Sequence, residues 1–367
     1  MKKVMFIRAP EALVEASLRA GCQLFCSYPI TPVEEMTEYW VKRCGDFPGA
    51  LPFVPESEME SGAYLIAFAA SGKRSAFAST GNGISLIGES LGHLIMSEKP
   101  CVIFDFPRAG LSVSQGDYFL ATRAPSHGDG RMIVLAPMGT QEAVDLTQEA
   151  FYLADKYRNP VMVMCDYTLG QTMEVVEFND VDEGDLPPKT WALTGDRSRP
   201  PRRGQVAMPS SGVTAANQAT GVDENFGSIS PFELSILRKF EKYASVPARA
   251  EELYMDDAEV VAVAYGTMAR MIMPELNKLR EAGHKIGLIR PITLFPFPNE
   301  VICEAAGRVR RFGVLECNAG QMVEDVRLAV DGRVPVDLYA RPGGSAPTPA
   351  EIERELQRLL GRVEVPA

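Results

Sequence analysis

Histidine, tryptophan and paired cysteines are scarce in this sequence. Only three of its 367 residues are histidine (His93, His127 and His284) and two are tryptophan. Seven cysteines are present, Cys22, Cys26, Cys44, Cys101, Cys165, Cys303 and Cys317, but the number is odd and no C-x-x-C pair exists. Neither a disulfide framework nor a zinc or iron–sulfur site has its ligand spacing here, and the cysteines read as reduced core residues. No metal site is expected in this chain, so any redox metal centre belongs to another polypeptide.

Long apolar runs are missing too. None approaches the roughly 20 residues that cross a bilayer, and "MKKVMFIRAP" lacks the apolar stretch and cleavage site of a signal peptide. The expectation is a cytoplasmic protein with no membrane partner. Clustered basic charge is absent as well: the net charge is −11 and the pI about 5.0, which argues against nucleic-acid binding. What the chain has is a 46% hydrophobic composition, enough for a large core in two or three domains.

Apolar runs such as "CQLFCSY", "SAFAST", "CVIFDF", "MIVLAP" and "PVMVMCD" alternate with helical stretches such as "TPVEEMTEYWVKR", "SLIGESLGHLIMSEK" and "TQEAVDLTQEAFYLADKY". Near-continuous apolar strands between amphipathic helices predict an α/β domain with a parallel sheet over residues 1–177. From 178 to 254 the texture turns to Pro, Gly, Ser and Asn, as in "GDRSRPPRRGQ", and reads as a linker or excursion with one helix, "FELSILRKFEKYA". The strand and helix rhythm resumes with "EVVAVAYG" and "KIGLIRPI", predicting a second, smaller α/β domain over 255–367.

Four stretches could carry chemistry. In "SYPITPVEEM" two prolines bracket Ile30 and Thr31 just before a helix expected to begin near Val33, which predicts extended Tyr28 and Thr31 in a stiff corner. Thr31 is then either helix punctuation or a side chain aimed at a ligand. In "FVPESEMESGAYL", Glu56, Glu58 and Glu60 crowd a helix start, either complementing its dipole or sending one carboxylate into a pocket. Gly81 and Gly83 in "ASTGNGIS" stand between strand and helix, where a plain turn or an anion-binding turn both fit. Arg108 follows the strand "CVIFDF", suiting a surface ion pair or a carboxylate ligand at the carboxyl end of a parallel strand. Gly128-Asp129-Gly130, with Asn159 beyond it, spells the opening of a magnesium–diphosphate motif. It precedes a strand instead of ending one, so it is not read as a metal site.

Taken together, "SYPITPVEEMTEYW", "EKPCVIFDFPR", "SQGDYFLATRAPSHGDGRMIVLAP", "RPITLFPFP" and "ECNAGQMVEDVR" resemble the alpha subunit of the 2-oxoacid:acceptor (ferredoxin) oxidoreductases. The resemblance runs in order over nearly the whole chain outside the linker and is strongest to the 2-oxoisovalerate and phenylglyoxylate dehydrogenase types. It implies a thiamin diphosphate pyrimidine-binding domain followed by a transketolase C-terminal-like domain. The implied activity is CoA-dependent oxidative decarboxylation of a 2-oxo acid. Thiamin diphosphate would be shared with a beta subunit holding Mg2+, a gamma subunit and an iron–sulfur (delta-type) subunit would complete the complex, and ferredoxin or a flavin/NAD subunit would be the acceptor.

Motif by motif, the resemblance puts Glu58 at the cofactor's pyrimidine ring, with Tyr28, Pro29, Gly81 and Gly83 around it. It puts Thr31 and Arg108 at the substrate's oxo and carboxylate groups. The loop "RAGLSVSQGDYF" is shorter than the family's, so the resemblance implies room for a bulky 2-oxo acid, phenylglyoxylate-like or branched-chain. Two other readings stay open: a noncatalytic scaffold subunit, and a thiamin diphosphate synthase or decarboxylase without redox partners.

Overall fold

The structure is a computed structural model that describes residues 3–127, 129–179, 188–195, 238–243 and 245–361. Most of the expected 178–254 linker, its helix before residue 238, and Gly128 therefore lie outside the described residues.

The chain opens with β1 (Lys3–Arg8), which runs straight into a helix, Ala9–Arg19, with Pro10 in its first turn and Glu11 reaching back to the Arg8 backbone. The five apolar runs of the first domain become β2 (Cys22–Cys26), β3 (Arg74–Ser79), β4 (Val102–Asp105), β5 (Ile133–Leu135) and β6 (Val161–Met164), all parallel. Their residues alternate between two cores. Phe25, Phe104 and Val163 face the helices Ala9–Arg19, Glu34–Arg43 and Thr140–Tyr157, while Leu24, Phe77 and Ile103 face Glu58–Ala70 and Gly88–Met96. Burial on both faces is why these strands carry no polar alternation.

Three features depart from the sequence reading. β7 (Met173–Phe178) pairs antiparallel with β1 in a two-stranded ribbon outside the parallel sheet. Its alternating "MEVVEF" is the half-buried pattern, with Val176 and Phe178 inward and Val175 outward. Next, β8 (Ala250–Leu253), placed by sequence within the linker, is an antiparallel edge strand of the second sheet. That sheet has the order β13-β12-β9-β10-β8, with β9 (Val260–Val263), β10 (Ile286–Pro291), β12 (Arg311–Glu316) and β13 (Val336–Ala340) parallel. Finally, β11 (Thr293–Phe295) leaves the second segment and pairs antiparallel with β5, completing the first sheet in the order β11-β5-β6-β4-β3-β2. The open edge of β5 is satisfied by chain from the other half.

Side chains reinforce that joint. Arg290, buried, makes a bidentate pair with Glu142 at 2.9 and 3.0 Å and a third bond to Glu251 at 2.7 Å. On the far side of the first domain, the buried Glu15 accepts from Arg19, Arg43, Lys3 and Tyr39. Burial alone would raise the Glu15 pKa, but the Arg43, Lys3 and Arg19 cations hold it below the usual value.

The helix Glu34–Arg43 is anchored by Trp40, wholly buried, stacked on Phe25 at 5.6 Å and donating its indole N–H to the Leu51 carbonyl at 2.9 Å. Trp40→Ala should cost about 3–5 kcal/mol of unfolding free energy. Trp40→Phe should cost about 1–3 kcal/mol, because it leaves the Leu51 carbonyl unpaired. Urea denaturation followed by circular dichroism is the measurement, and equal midpoints for wild type and Trp40→Ala would show that this helix is not held through Trp40.

Candidate functional site

Five parallel strands place five carboxyl ends on one edge of the first sheet, where open parallel sheets present their binding crevice. Tyr28 and Pro29 follow β2, Ser79 and Thr80 end β3, Asp105 through Arg108 leave β4, and Asp166 leaves β6. Glu58 starts the helix that returns from β2 to β3, so its first turn lies at the same edge.

The corner after β2 is tight. Thr31 lies in a turn, the Thr31–Pro32 bond is cis, and the helix begins at Glu34, one residue later than expected. A Cβ on Gly170 would lie 2.7 Å from Pro32 Cγ and 3.3 Å from Phe106, so the corner packs against the exit of β4. The Thr31 hydroxyl caps no backbone N–H; it donates to the Glu34 carboxylate at 3.0 Å. Tyr28 and Pro29 are exposed beside it.

The three acids divide their roles. Ser57 caps the helix by accepting from the Glu60 N–H at 3.1 Å, and Glu60 reaches back to the Glu56 N–H at 2.6 Å. Glu56 points to solvent. Glu58 turns the other way: its Cγ lies 3.0 Å from where a Gly83 Cβ would be, a position that would also collide with Ser79 Oγ. Among the described residues the Glu58 carboxylate makes no hydrogen bond or ion pair.

The glycine turn therefore works differently from the anion cradle that its sequence allowed. Gly83 makes room for Glu58 and Ser79, and a Cβ on Gly81 would collide with the Asp117 carboxylate. The helix that follows, Gly81–Leu86, is only six residues long, and the anion at its start is the chain's own Asp117. Burial raises the Asp117 pKa, and the Gly81 N–H pulls the other way.

Arg108 is half-buried and holds its own loop closed, donating to the Gly110 carbonyl at 2.7 Å. Gly110 adopts φ +63°, a left-handed turn that glycine tolerates, and Arg108 forms a bridge with Val113. Among the described residues Arg108 makes no ion pair. Asn159 does structural work behind β6, donating to the Arg131 and Pro160 carbonyls at 2.9 and 3.1 Å. Exposed apolar side chains rim this edge: Tyr28, Val54, Met59, Leu86 and Leu111.

Four residues that sequence reasoning passed over lie at this edge. Gln115 ties the loop after Arg108 to the second domain, Asp117 fills the Gly81 turn, Asp166 accepts from Thr267 and the Leu169 N–H, and Asp105 lies wholly buried at the end of β4. The one available signal was two aspartates ending apolar strands, "CVIFDF" and "MVMCD", where a buried charge is unusual.

Comparison with known proteins finds two family matches along the chain. Residues 15–231 match the family described as pyruvate flavodoxin/ferredoxin oxidoreductase, thiamine diP-binding, and residues 258–352 match pyruvate:ferredoxin oxidoreductase core domain II. The chain is 36% identical over 97% of its length to the ketoisovalerate oxidoreductase subunit VorB of Methanothermobacter thermautotrophicus, covering 97% of that protein. It is 32% identical over 96% of its length to the 2-oxoglutarate synthase subunit KorA of Methanocaldococcus jannaschii, covering 99% of it. The fold superposes on the 2-oxoglutarate:ferredoxin oxidoreductase from Magnetococcus marinus with a TM-score of 0.77 at 24% identity, over 98% of this chain. The chain spans 65% of that longer polypeptide.

The glycine contacts can be tested directly. Gly83→Ala should lose about 1–3 kcal/mol, because Ser79 and Glu58 must both shift. Gly88→Ala, whose nearest atom would be 3.9 Å away, is the neutral control. Thermal melts of both variants decide it; equal midpoints would mean that Gly83 is not a spacing residue.

Proposed function

The chain belongs to the 2-oxoacid:ferredoxin oxidoreductases as an alpha-type subunit, and from that premise we propose that its carboxyl edge is one half of a thiamin diphosphate site. The observation that carries this reading is the Glu58 carboxylate, unpartnered among the described residues, on a stem packed where Gly83 has no side chain. An acid placed so fits the cofactor's pyrimidine ring, with Tyr28, Pro29 and the Gly81 and Gly83 turn as its surroundings. When bound, thiamin diphosphate would supply the nucleophilic and electron-accepting chemistry that decarboxylation of a 2-oxo acid needs.

This chain's own residues supply placement. Glu58 hydrogen-bonds the pyrimidine nitrogen and holds its proton there. The Arg108 guanidinium, without an acid partner among the described residues, takes the substrate carboxylate with a planar fork. The Thr31 hydroxyl, on its rigid corner, exchanges the Glu34 carboxylate for the substrate's oxo group, a preorganised donor for developing negative charge. The apolar rim of Val54, Met59, Leu86 and Leu111 suits a beta subunit that closes the other half of the site with Mg2+ and the diphosphate. Iron–sulfur subunits, coenzyme A as acyl acceptor and ferredoxin as electron acceptor complete the proposed complex.

For the substrate, the short 108–117 loop and the ketoisovalerate oxidoreductase relative both favour a bulky 2-oxo acid, branched-chain or aromatic. In the assembled complex, 2-oxoisovalerate and phenylglyoxylate should outcompete pyruvate, and Arg108→Ala should raise KM for the preferred acid at least about tenfold, with Lys rescuing partly. Equal kcat/KM for pyruvate would rule out the bulky-substrate reading, and an unchanged KM would remove Arg108 from the substrate.

Glu58→Gln should fold normally and lose more than about nine-tenths of turnover, at least ~1.4 kcal/mol, because an amide still bonds the ring but cannot hold its proton. A rate within tenfold of wild type would take Glu58 out of the chemistry and return the chain to a scaffold role.

A further inference from the structure

Residues 341–348, between β13 and the helix Pro349–Leu359, are drawn into a knot that the proposed reaction has not used. Arg341 follows β13 directly, and its N–H donates to the Glu316 carbonyl at 3.1 Å. Its guanidinium closes the turn that it begins: Nε donates to the Ser345 carbonyl at 2.8 Å and Nη2 to the Ser345 hydroxyl at 2.9 Å, while Nη1 donates to the Glu351 carboxylate at 2.8 Å. Glu351 is itself fixed, accepting from the Thr348 N–H at 2.7 Å and from the Thr348 hydroxyl at 2.8 Å in the capping box of the helix. The Thr348 N–H and then the Arg341 guanidinium hold the Glu351 carboxyl down at about 2, so the pair keeps both charges near neutral pH.

This knot encloses two glycines. Gly343 and Gly344 have φ +70° and +98°, conformations that residues with side chains rarely adopt. A Cβ on Gly344 would have nothing within 4 Å, but one on Gly343 would lie 2.6 Å from Ala109 Cβ. Both atoms hang directly from backbone, so no change of rotamer could relieve that overlap and one of the two loops must move.

Ala109 follows Arg108 in a tight hairpin. Its N–H donates to the Ser112 carbonyl at 3.1 Å, Arg108 bridges Val113, and Gly110 turns between them with the Arg108 guanidinium on its carbonyl. Val113 is buried in the core of the second domain with Met268 and Leu315. The hairpin that carries Arg108 is therefore rooted in the second domain at Val113 and backed by that domain's Gly343 turn at Ala109.

We propose that Arg341 is a positioning residue for substrate binding: it holds the Gly343 turn against Ala109, and that contact fixes the hairpin from which Arg108 takes the substrate carboxylate. The proposal rests on the substrate role given to Arg108 above. A guanidinium pairs with a carboxylate through two parallel bonds, and their geometry is lost when the backbone carrying the fork shifts. The three donors of Arg341 are already engaged by Ser345 and Glu351, so its loss acts on binding through the hairpin and not on the chemical step. Lysine keeps the charge but lacks the fork that holds Ser345 and Glu351 together.

The assembled complex gives two independent readouts. In hydrogen–deuterium exchange, Arg341→Met should speed exchange of the 109–113 amides at least about tenfold, with Arg341→Lys in between. In steady-state kinetics, Gly343→Ala should raise KM for the preferred 2-oxo acid at least about fivefold with kcat within about twofold, and adding Ala109→Gly, which removes the opposing Cβ, should restore most of it. Gly332→Ala, at φ +68° with nothing within 4 Å, carries the same backbone strain without the contact and should leave KM unchanged. A KM for Gly343→Ala equal to that of Gly332→Ala, or one that Ala109→Gly does not restore, would overturn the proposal, as would wild-type exchange in Arg341→Met. Should Gly343→Ala fail to assemble, Arg341→Lys decides: its KM should rise with kcat unchanged, and a wild-type KM would overturn the proposal. An unchanged KM in Arg108→Ala, with exchange still faster in Arg341→Met, would instead overturn the substrate role of Arg108 and leave the contact standing.

Discussion

The site depends on one saturated side chain, Gln115. Its backbone N–H donates to the Cys317 carbonyl at 2.7 Å, its amide oxygen accepts from the Cys317 N–H at 2.9 Å, and its amide nitrogen donates to the Tyr265 carbonyl at 3.0 Å. Its own carbonyl accepts from Asn318 at 3.0 Å. Every polar group of a buried glutamine is thus paired with the second domain, and its loop has no freedom to slide. That loop carries Arg108 on one side and Asp117 on the other. Gly266 turns beneath it with φ +56°, a conformation that leaves 3.4 Å between its would-be Cβ and the Gln115 amide.

From this constraint the two domains act as one support. Tyr118, next to Asp117, donates to Asp325 at 2.6 Å, and Gln321 holds the Phe119 N–H and the Gly116 carbonyl. β11 then closes the first sheet from the opposite side. The carboxyl edge is in this way held by packing from below and by hydrogen bonds from the second domain, while its upper rim stays apolar and exposed. Such a surface is firmly supported from below and left open above.

Much of this was legible in the residues. The five parallel strands follow from apolar runs bounded by helices, whereas the residues alone left Glu56, Glu58 and Glu60 open and the family resemblance singled out Glu58. Thr31 and Arg108 were legible as side chains on a stiff corner and at a strand end, and the structure puts both at the carboxyl edge, Thr31 bonded to Glu34 and Arg108 to Gly110. The Gly81 and Gly83 turn read as either a plain turn or a place for an anion; Asp117, which the structure puts against Gly81, was not legible there because a strand, two helices and a loop separate them. The linker boundary was misplaced because "AEEL" has no apolar signal as a strand; β8 exists through hydrogen bonds to β10.

What the sequence by itself determined are properties that neighbours in the chain impose on one another: strand and helix order, the proline corner, helix caps, and the motifs that place the chain in its family. What only the tertiary structure decided are pairings between distant residues, among them β1 with β7, β11 with β5, and Gln115 with Cys317. The physical reason is that local sequence sets backbone preference and which face is apolar, whereas desolvation and hydrogen-bond saturation depend on everything packed within a few ångströms. Those surroundings are assembled from parts of the chain that carry no mark of one another.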